Sequence, residues 1–240
     1  MVNTSEPAAE HLAATLIFKE GIKAGWPICL GYFPIGLAFG VLAQQAGLHP
    51  VEIGLMSLLV FAGSSQFIAV SMLSGGASVL SIVLTTFVIN LRHLLMSSSL
   101  AVYLRYVHKT WTALFAYGVT DESFAVNLTR FRDSNWDWRQ ALVVNQTANL
   151  AWIASSIVGA YSGQFIPAGA FGIDYALIAM FLCLLVFQLR GRLYVVTAIV
   201  AGLLAVLLAL FVPGNSYIVL ASVLAATIGV VCRRKDIINA

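Results

Sequence analysis

The run VVTAIVAGLLAVLLALFV, residues 195–212, carries no charge along its whole length. A helix needs about 20 such residues to cross a hydrocarbon core of roughly 30 Å. ALIAMFLCLLVF at 176–187 gives the same signal, and neither run shows the alternation of apolar and polar residues that a barrel strand requires. Runs of this kind recur from Ala24 onward in a chain of 240 residues that is 60% hydrophobic and 10% charged. A soluble domain carries about 25% charged residues. The chain therefore reads as an all-α polytopic integral membrane protein set in a lipid bilayer. Its net charge of +3 reports loop orientation rather than affinity for nucleic acid, which is not an expected partner.

Eight hydrophobic helical segments are expected, at about 24–43, 52–73, 78–104, 111–129, 141–163, 174–189, 193–212 and 215–232. Turn chemistry or charge separates them, as in AGLHP at 46–50, SGGAS at 74–78, RYVHK at 105–109 and RFRDSNWDWR at 130–139. The expected organisation is a cytoplasmic N-terminal segment over 1–20, one transmembrane helical domain over 21–232, and a basic cytoplasmic tail over 233–240. The first twenty residues hold Glu6, Glu10 and Glu20 and lack the basic start of a cleavable signal, so the first span is expected to stay attached. Lys and Arg are retained on the cytoplasmic side. Eight full crossings with the N-terminus inside leave Arg105 and Lys109 outside. If one of segments two and three, and also segment four, dips in and returns, every loop cation falls inside. Both versions place the two termini in the cytoplasm. Cys29, Cys183 and Cys232 are scattered through apolar sequence and read as packing residues, and neither they nor the four dispersed histidines suggest a metal site.

Polar residues at membrane depth are costly, and so they are the candidates for function. Segment two interrupts its apolar run with Gly63-Ser64-Ser65-Gln66. A broken helix is tolerated in a bilayer where it is buried in protein or lines a cavity, and the start of its second half would offer free N–H groups to a carboxylate. Close helix packing through Gly and Ser is the alternative. Segment three places Arg92 and His93 in the middle of FVINLRHLLM, and segment four places Asp121 and Glu122 near its own middle. Opposite signs on neighbouring segments lower the cost of each charge. Adjacent helical residues point about 100° apart, so Arg92 and His93 cannot serve one partner face. Arg92 with an acid suits a structural lock, while His93 with Glu122 or Asp121 suits proton handling, because histidine titrates near neutrality.

Segment five carries a polar stripe at helical spacing, Asn145, Asn149, Trp152 and Ser156, with Gln146 beside it; it serves either as glue between helices or as the lining of a pathway. Trp26, Trp111, Trp136 and Trp138 lie at or beyond segment ends, as interfacial anchors do. A faint echo links Gly40–Gln66 with Gly159–Gln188, a possible weak internal repeat of the kind from which transporters are built.

The series PIGLAFG (34–40), FAGSSQF (61–67), NLRHLLMSSSLA (90–101) and GVTDESFA (118–125) resembles the AzlC family, the large subunit of bacterial branched-chain amino acid exporters. The likeness runs from about residue 15 to 232 and is strongest over the first 130 residues. It implies an inner-membrane secondary exporter, thought to be driven by protons, that works with a small hydrophobic AzlD-type subunit. Its substrates would be Val, Leu, Ile and related apolar amino acids such as Met. The family pattern carries over to Gly63, Ser64, Gln66, Arg92, His93, Asp121 and Glu122. On this reading the substrate-binding candidates are Gly63, Ser64, Ser65, Gln66, Asn145 and Asn149. Arg92, His93, Asp121 and Glu122 form the proton-coupling or ion-pair group. No cofactor is expected, since the chain lacks a GxxxxGK[ST] nucleotide loop. The rival classes are a channel and an assembly factor for another membrane protein. An intramembrane hydrolase using His93 as base is disfavoured, because no serine stands in a GxSxG setting.

Overall fold

The computed structural model describes residues 5–133, 136–166, 191–211 and 216–238, with Gly172, Tyr175, Ile178, Ala179, Leu182, Leu185, Val186 and Leu189 besides. The chain divides into two compact units, Met1–Leu177 and Ile178–Ala240. All regular structure among the described residues is helical. Four of those helices are long and apolar enough to cross a membrane: Ala14–Gln45, Val79–Leu104, Trp138–Gly163 and Arg192–Phe211.

The first unit is built on two long helices, α1 (Ser5–Gln45) and α7 (Trp138–Gly163). Lipid offers no hydrophobic force between helices, so close contact depends on small residues that let backbones touch. Glycines mark the seam. A Cβ on Gly21 would meet the Val143 side chain, one on Gly36 the Ser155 hydroxyl, and one on Gly40 the carbonyl of Ser156. In return, a Cβ on Gly159 would meet the backbone of Leu37, and one on Gly163 that of Val41. Residue numbers rise together along the seam, so α1 and α7 run parallel. One end of the pair is marked by Gly21 and Ala141, the other by Gln45 and Gly163.

Contacts to this pair give the depth of the elements between them. Segment two is two helices, α2 (Pro50–Val60) and α3 (Gly63–Ser74). α2 starts beside Ala160 and Gln164, passes Ile157 at Gly54, and ends where the Leu58 carbonyl accepts from Tyr117. Gly63 lies against Trp152, and one turn later Phe67 meets Phe39 with ring centroids 5.3 Å apart, so α3 heads back toward the Gln45 end. α4 (Val79–Leu100, continued by a 3-10 turn to Leu104) then runs the other way. It passes Ser65 at Asn90 and Ser64 at Arg92, and buries Leu100 and Leu104 in a cluster with Phe115, Phe131 and Ala141 at the Gly21 end. Segment four is also two helices, α5 (Lys109–Tyr117) and α6 (Asp121–Arg132). α5 climbs from Trp138 to Asn149, and α6 descends from Arg92 to Ala141.

Segments two and four are thus helical hairpins that enter from opposite ends of the α1–α7 pair and turn back at mid-depth. Local sequence sets the turns. α2 opens with Pro50 in its first turn and with Glu52 accepting from the His49 N–H, and it closes at Phe61, whose φ of 30° is left-handed. α5 closes at Gly118, and α6 opens with Thr120 and Ser123 capping each other's backbone N–H groups at 3.3 and 2.9 Å. Among the described residues this arrangement fits the version in which segments two and four dip in and return.

In the second unit, α8 (Arg192–Phe211) and α9 (Ser216–Ile238) form a pair in which Gly229 faces Thr197. α8 has no buried residue and is apolar all round, as suits a helix in lipid. α9 continues through Arg233, Arg234 and Lys235, so the basic stretch expected as a tail is the last turn of a helix. Segment six at 174–189, Cys183 and the later part of the 159–188 echo lie largely outside the described residues.

Candidate functional site

The two hairpin tips meet. Phe61 and Tyr117 pack with centroids 6.2 Å apart, and the Tyr117 hydroxyl donates to the Leu58 carbonyl. Between the tips stands Arg92. Its Nη1 lies 2.8 Å from Asp121 Oδ2, the first residue of α6, and its Nη2 donates to Ser64 Oγ at 2.5 Å, in the first turn of α3. Its Nε is buried and has no partner among the described residues. The Arg92 and Asp121 side chains stay 29% and 25% accessible.

The tips differ chemically. α6 is capped by Thr120 and Ser123 and begins with two acids. α3 follows Ala62, which has no side chain to offer, and among the described residues no acceptor meets the N–H groups of Gly63, Ser64 or Ser65. The free N–H groups at a helix start carry partial positive charge and favour an anion. Ser65 Oγ is held by Asn90 Oδ1 at 2.5 Å. Glu122 Oε2 accepts from Tyr32 of α1 at 2.6 Å, and the same hydroxyl lies 2.8 Å from Thr120 Oγ1.

The structure brings together Gly63, Ser64, Ser65, Arg92, Asp121 and Glu122. Gln66 is close but engaged on both sides, donating to Ser57 at 3.1 Å and accepting from Trp152 Nε1 at 2.9 Å. His93 is half-buried and forms no ion pair with either acid among the described residues. The stripe on α7 serves the end of α5. Asn145 donates to the Phe115 carbonyl at 3.0 Å, Gln146 to that of Leu114 at 3.3 Å, and Asn149 to the Tyr117 hydroxyl at 3.2 Å. Asn145 and Gln146 thus cap carbonyls in the last turn of α5, where a helix C-terminus lacks partners of its own, and Asn149 holds the side chain of its last residue. Asn127 donates to Asn145 at 2.9 Å and accepts from Trp136 at 3.2 Å, tying α6 to the same point. Among the described residues no group of His, Cys, Asp and Glu could hold a metal ion, and the Cys29 thiol faces the Thr147 carbonyl.

Sequence reading missed Tyr32, Asn90 and Tyr117, since one tyrosine or asparagine in an apolar run has no periodic signal. Thr120 was missed as well, although Thr-Asp-Glu is a helix-opening signal that could have found it.

Comparison with known proteins decides the family. The AzlC protein family pattern matches residues 27–166, from Pro27 in α1 to the residues just past α7. The chain belongs to the AzlC family. It is 32% identical over 211 residues to the inner membrane protein YgaZ of Escherichia coli, covering 84% of this chain and 86% of that one. A membrane protein of Archaeoglobus fulgidus is 33% identical over 199 residues, covering 81% and 85%. The branched-chain amino acid transport protein AzlC of Bacillus subtilis is 28% identical over 204 residues, covering 84% and 80%. No solved structure matches the chain. This AzlC-family member is therefore a helical membrane protein, and the family match spans both hairpins and the helices that hold them.

Proposed function

We propose that this chain exports branched-chain and related apolar amino acids across the bacterial cytoplasmic membrane by proton-coupled secondary transport, as the large subunit of a pair with a small AzlD-type membrane protein. The observation that carries the reading is the meeting of two unlike helix starts at Arg92, one neutral and uncapped, the other acidic. A free amino acid is a zwitterion. Its carboxylate suits the N–H groups of Gly63 to Ser65 and the free Arg92 Nε, and its ammonium suits Glu122, while Phe61 offers an apolar wall. Broken helices that meet at mid-membrane are how many secondary transporters hold such solutes. The relative from Bacillus subtilis, named for branched-chain amino acid transport, supports the substrate class.

Orientation follows from charge. In the first unit Lys19, Lys23, Arg105, Lys109, Arg130, Arg132 and Arg139 all stand toward the Gly21 end, and the loops at 46–49 and 75–78 hold no Lys or Arg. By the positive-inside rule the Gly21 end faces the cytoplasm. Of the two acids, Asp121 is matched by Arg92, whereas Glu122 accepts from the Tyr32 hydroxyl and has no ion pair among the described residues. Glu122 therefore carries the proton-coupling role, in preference to His93. The test is efflux of labelled leucine from vesicles holding the chain with and without its partner subunit. Saturable efflux that follows a proton gradient supports the reading; flux that does not saturate marks a channel, and no flux of any apolar amino acid removes the transport role.

A further inference from the structure

The two hairpins share more than a shape. Each follows a long helix, and each begins with a histidine at the first helix's N-cap, His49 for α2 and His108 for α5. Each breaks for two or three residues and returns in a helix of 12 residues. At the tips, Gly63-Ser64-Ser65-Gln66-Phe67 aligns with Thr120-Asp121-Glu122-Ser123-Phe124 at a constant separation along the chain. Under that alignment Ser64 corresponds to Asp121, and these are the two partners of Arg92. The next pair also corresponds: Ser65 is held by Asn90 of α4, and Glu122 by Tyr32 of α1. Each hairpin is thus braced by the long helix that precedes the other hairpin. The hairpins enter from opposite ends, so the operation relating them is a half-turn about an axis lying across the helices, not along them.

We propose that α1–α3 and α4–α6 are two copies of one unit in opposite orientations, gating one central site toward opposite faces, with Arg92 as the latch between the two tips. Hairpin α2–α3 closes the path to the Gln45 end, and hairpin α5–α6 closes the path to the Gly21 end. Arg92 grips both tips in the described state, in which Phe61 and Val119, one at each tip, are 3% and 1% exposed. Freeing the Ser64 contact opens one path while the Asp121 pair keeps the other shut, and the reverse exchange opens the other. Tyr32 and Asn90 are positioning residues, each holding the tip of the opposite copy. The half-turn relates this pair of contacts, whereas the sequence echo between 40–66 and 159–188 pairs other elements.

The gating rests on the transport reading, but the two-copy arrangement can be tested without transport. Single cysteines at Leu48, Ala77, Tyr106 and Asp133, in full-length chains with Cys29, Cys183 and Cys232 changed to alanine, are labelled with an impermeant thiol reagent from either face of sealed membranes. Leu48→Cys and Ala77→Cys are expected to label from one face, and Tyr106→Cys and Asp133→Cys from the other; labelling that alternates from loop to loop overturns the arrangement. For the latch, Arg92→Gln should raise labelling of Phe61→Cys from the Gln45 face and of Val119→Cys from the Gly21 face, each by about tenfold. A gain at both tips from the same face, or at neither, overturns the gating. If Arg92→Gln does not insert, Tyr32→Phe and Asn90→Leu replace it: the first should free Val119→Cys alone and the second Phe61→Cys alone, and no gain with either counts against the latch. A chain that labels as expected yet moves no amino acid keeps the two-copy arrangement and loses the transport reading. Saturable export with alternating loop labels does the opposite.

Discussion

Arg92 is placed where a lone guanidinium would be expensive, and its cost is met by one acid and one hydroxyl from two different helices. A charge at the bilayer centre costs about 2.5–3.5 kcal/mol on insertion scales. Asp121→Leu leaves Arg92 unmatched and should lower the membrane-inserted amount about tenfold, while Arg92→Leu with Asp121→Leu should recover most of it. A double variant no better than either single one, measured by fluorescence of a fused reporter, would remove the lock. The exchange Ser64→Asp with Asp121→Ser is a closer probe, since it moves the acid to the other tip and keeps the ion pair; inserted yield should return to within about twofold of the parent. Glu122→Gln keeps the Tyr32 contact and loses only the titratable group. It should abolish gradient-driven export and spare exchange of one amino acid for another, as read in vesicles with and without an imposed pH step. At this scale much was legible: Gly63, Ser64, Arg92, Asp121 and Glu122 stand out because polar residues are rare in apolar runs. Asn145 and Asn149 stood out for the same reason, yet the structure spends their amides on the end of α5. A stripe tells which face of a helix is polar and not what lies opposite.

At the scale of elements, the decisive features are two interruptions. The break after α2 needs a left-handed residue, and it falls on Phe61 rather than on the glycine two places later. A non-glycine residue in that region costs roughly 1–2 kcal/mol. Packing against Tyr32 and Tyr117 holds it there. Gly63 is needed for another reason: a Cβ would lie 3.0 Å from the Trp152 ring. Gly63→Ala should therefore be tolerated with a small shift of Trp152, whereas Gly63→Val should block transport while the chain still inserts. The α1–α7 seam is less forgiving, because Gly40 meets backbone and not a movable side chain. Gly40→Leu should prevent a stable fold, seen as loss of the monodisperse peak in detergent. Eight apolar segments were readable from hydropathy, but hydropathy counts a hairpin as it counts a crossing. Only the contacts along α7 separate the two.

For the whole molecule, the cations of the first unit other than Arg92 gather at one end. Adding charge at the two ends should therefore have unequal effects. Ala77→Lys puts a cation at the end of the first unit whose loops at 46–49 and 75–78 hold none and should lower inserted yield about twofold, while Tyr106→Lys, beside Arg105, should be neutral; quantitative blotting of membranes reads both. The parallel course of α1 and α7 was not legible, since it depends on how many intervening segments cross.

That parallel course also fixes an order of assembly. Gln66, in the first turn of α3, accepts from Trp152, which is 86 residues further along the chain. At about 5–20 residues per second, synthesis leaves the Gly63 turn waiting roughly 4–17 s for its partner. During that interval α2, only 11 residues long, is too short to hold a place across the bilayer by itself. Until α7 arrives the hairpin has Phe39 of α1 and then Asn90 and Arg92 of α4 to hold it but not Trp152, so slow codons placed before α7 are expected to lengthen the time in which quality-control proteases can reach it.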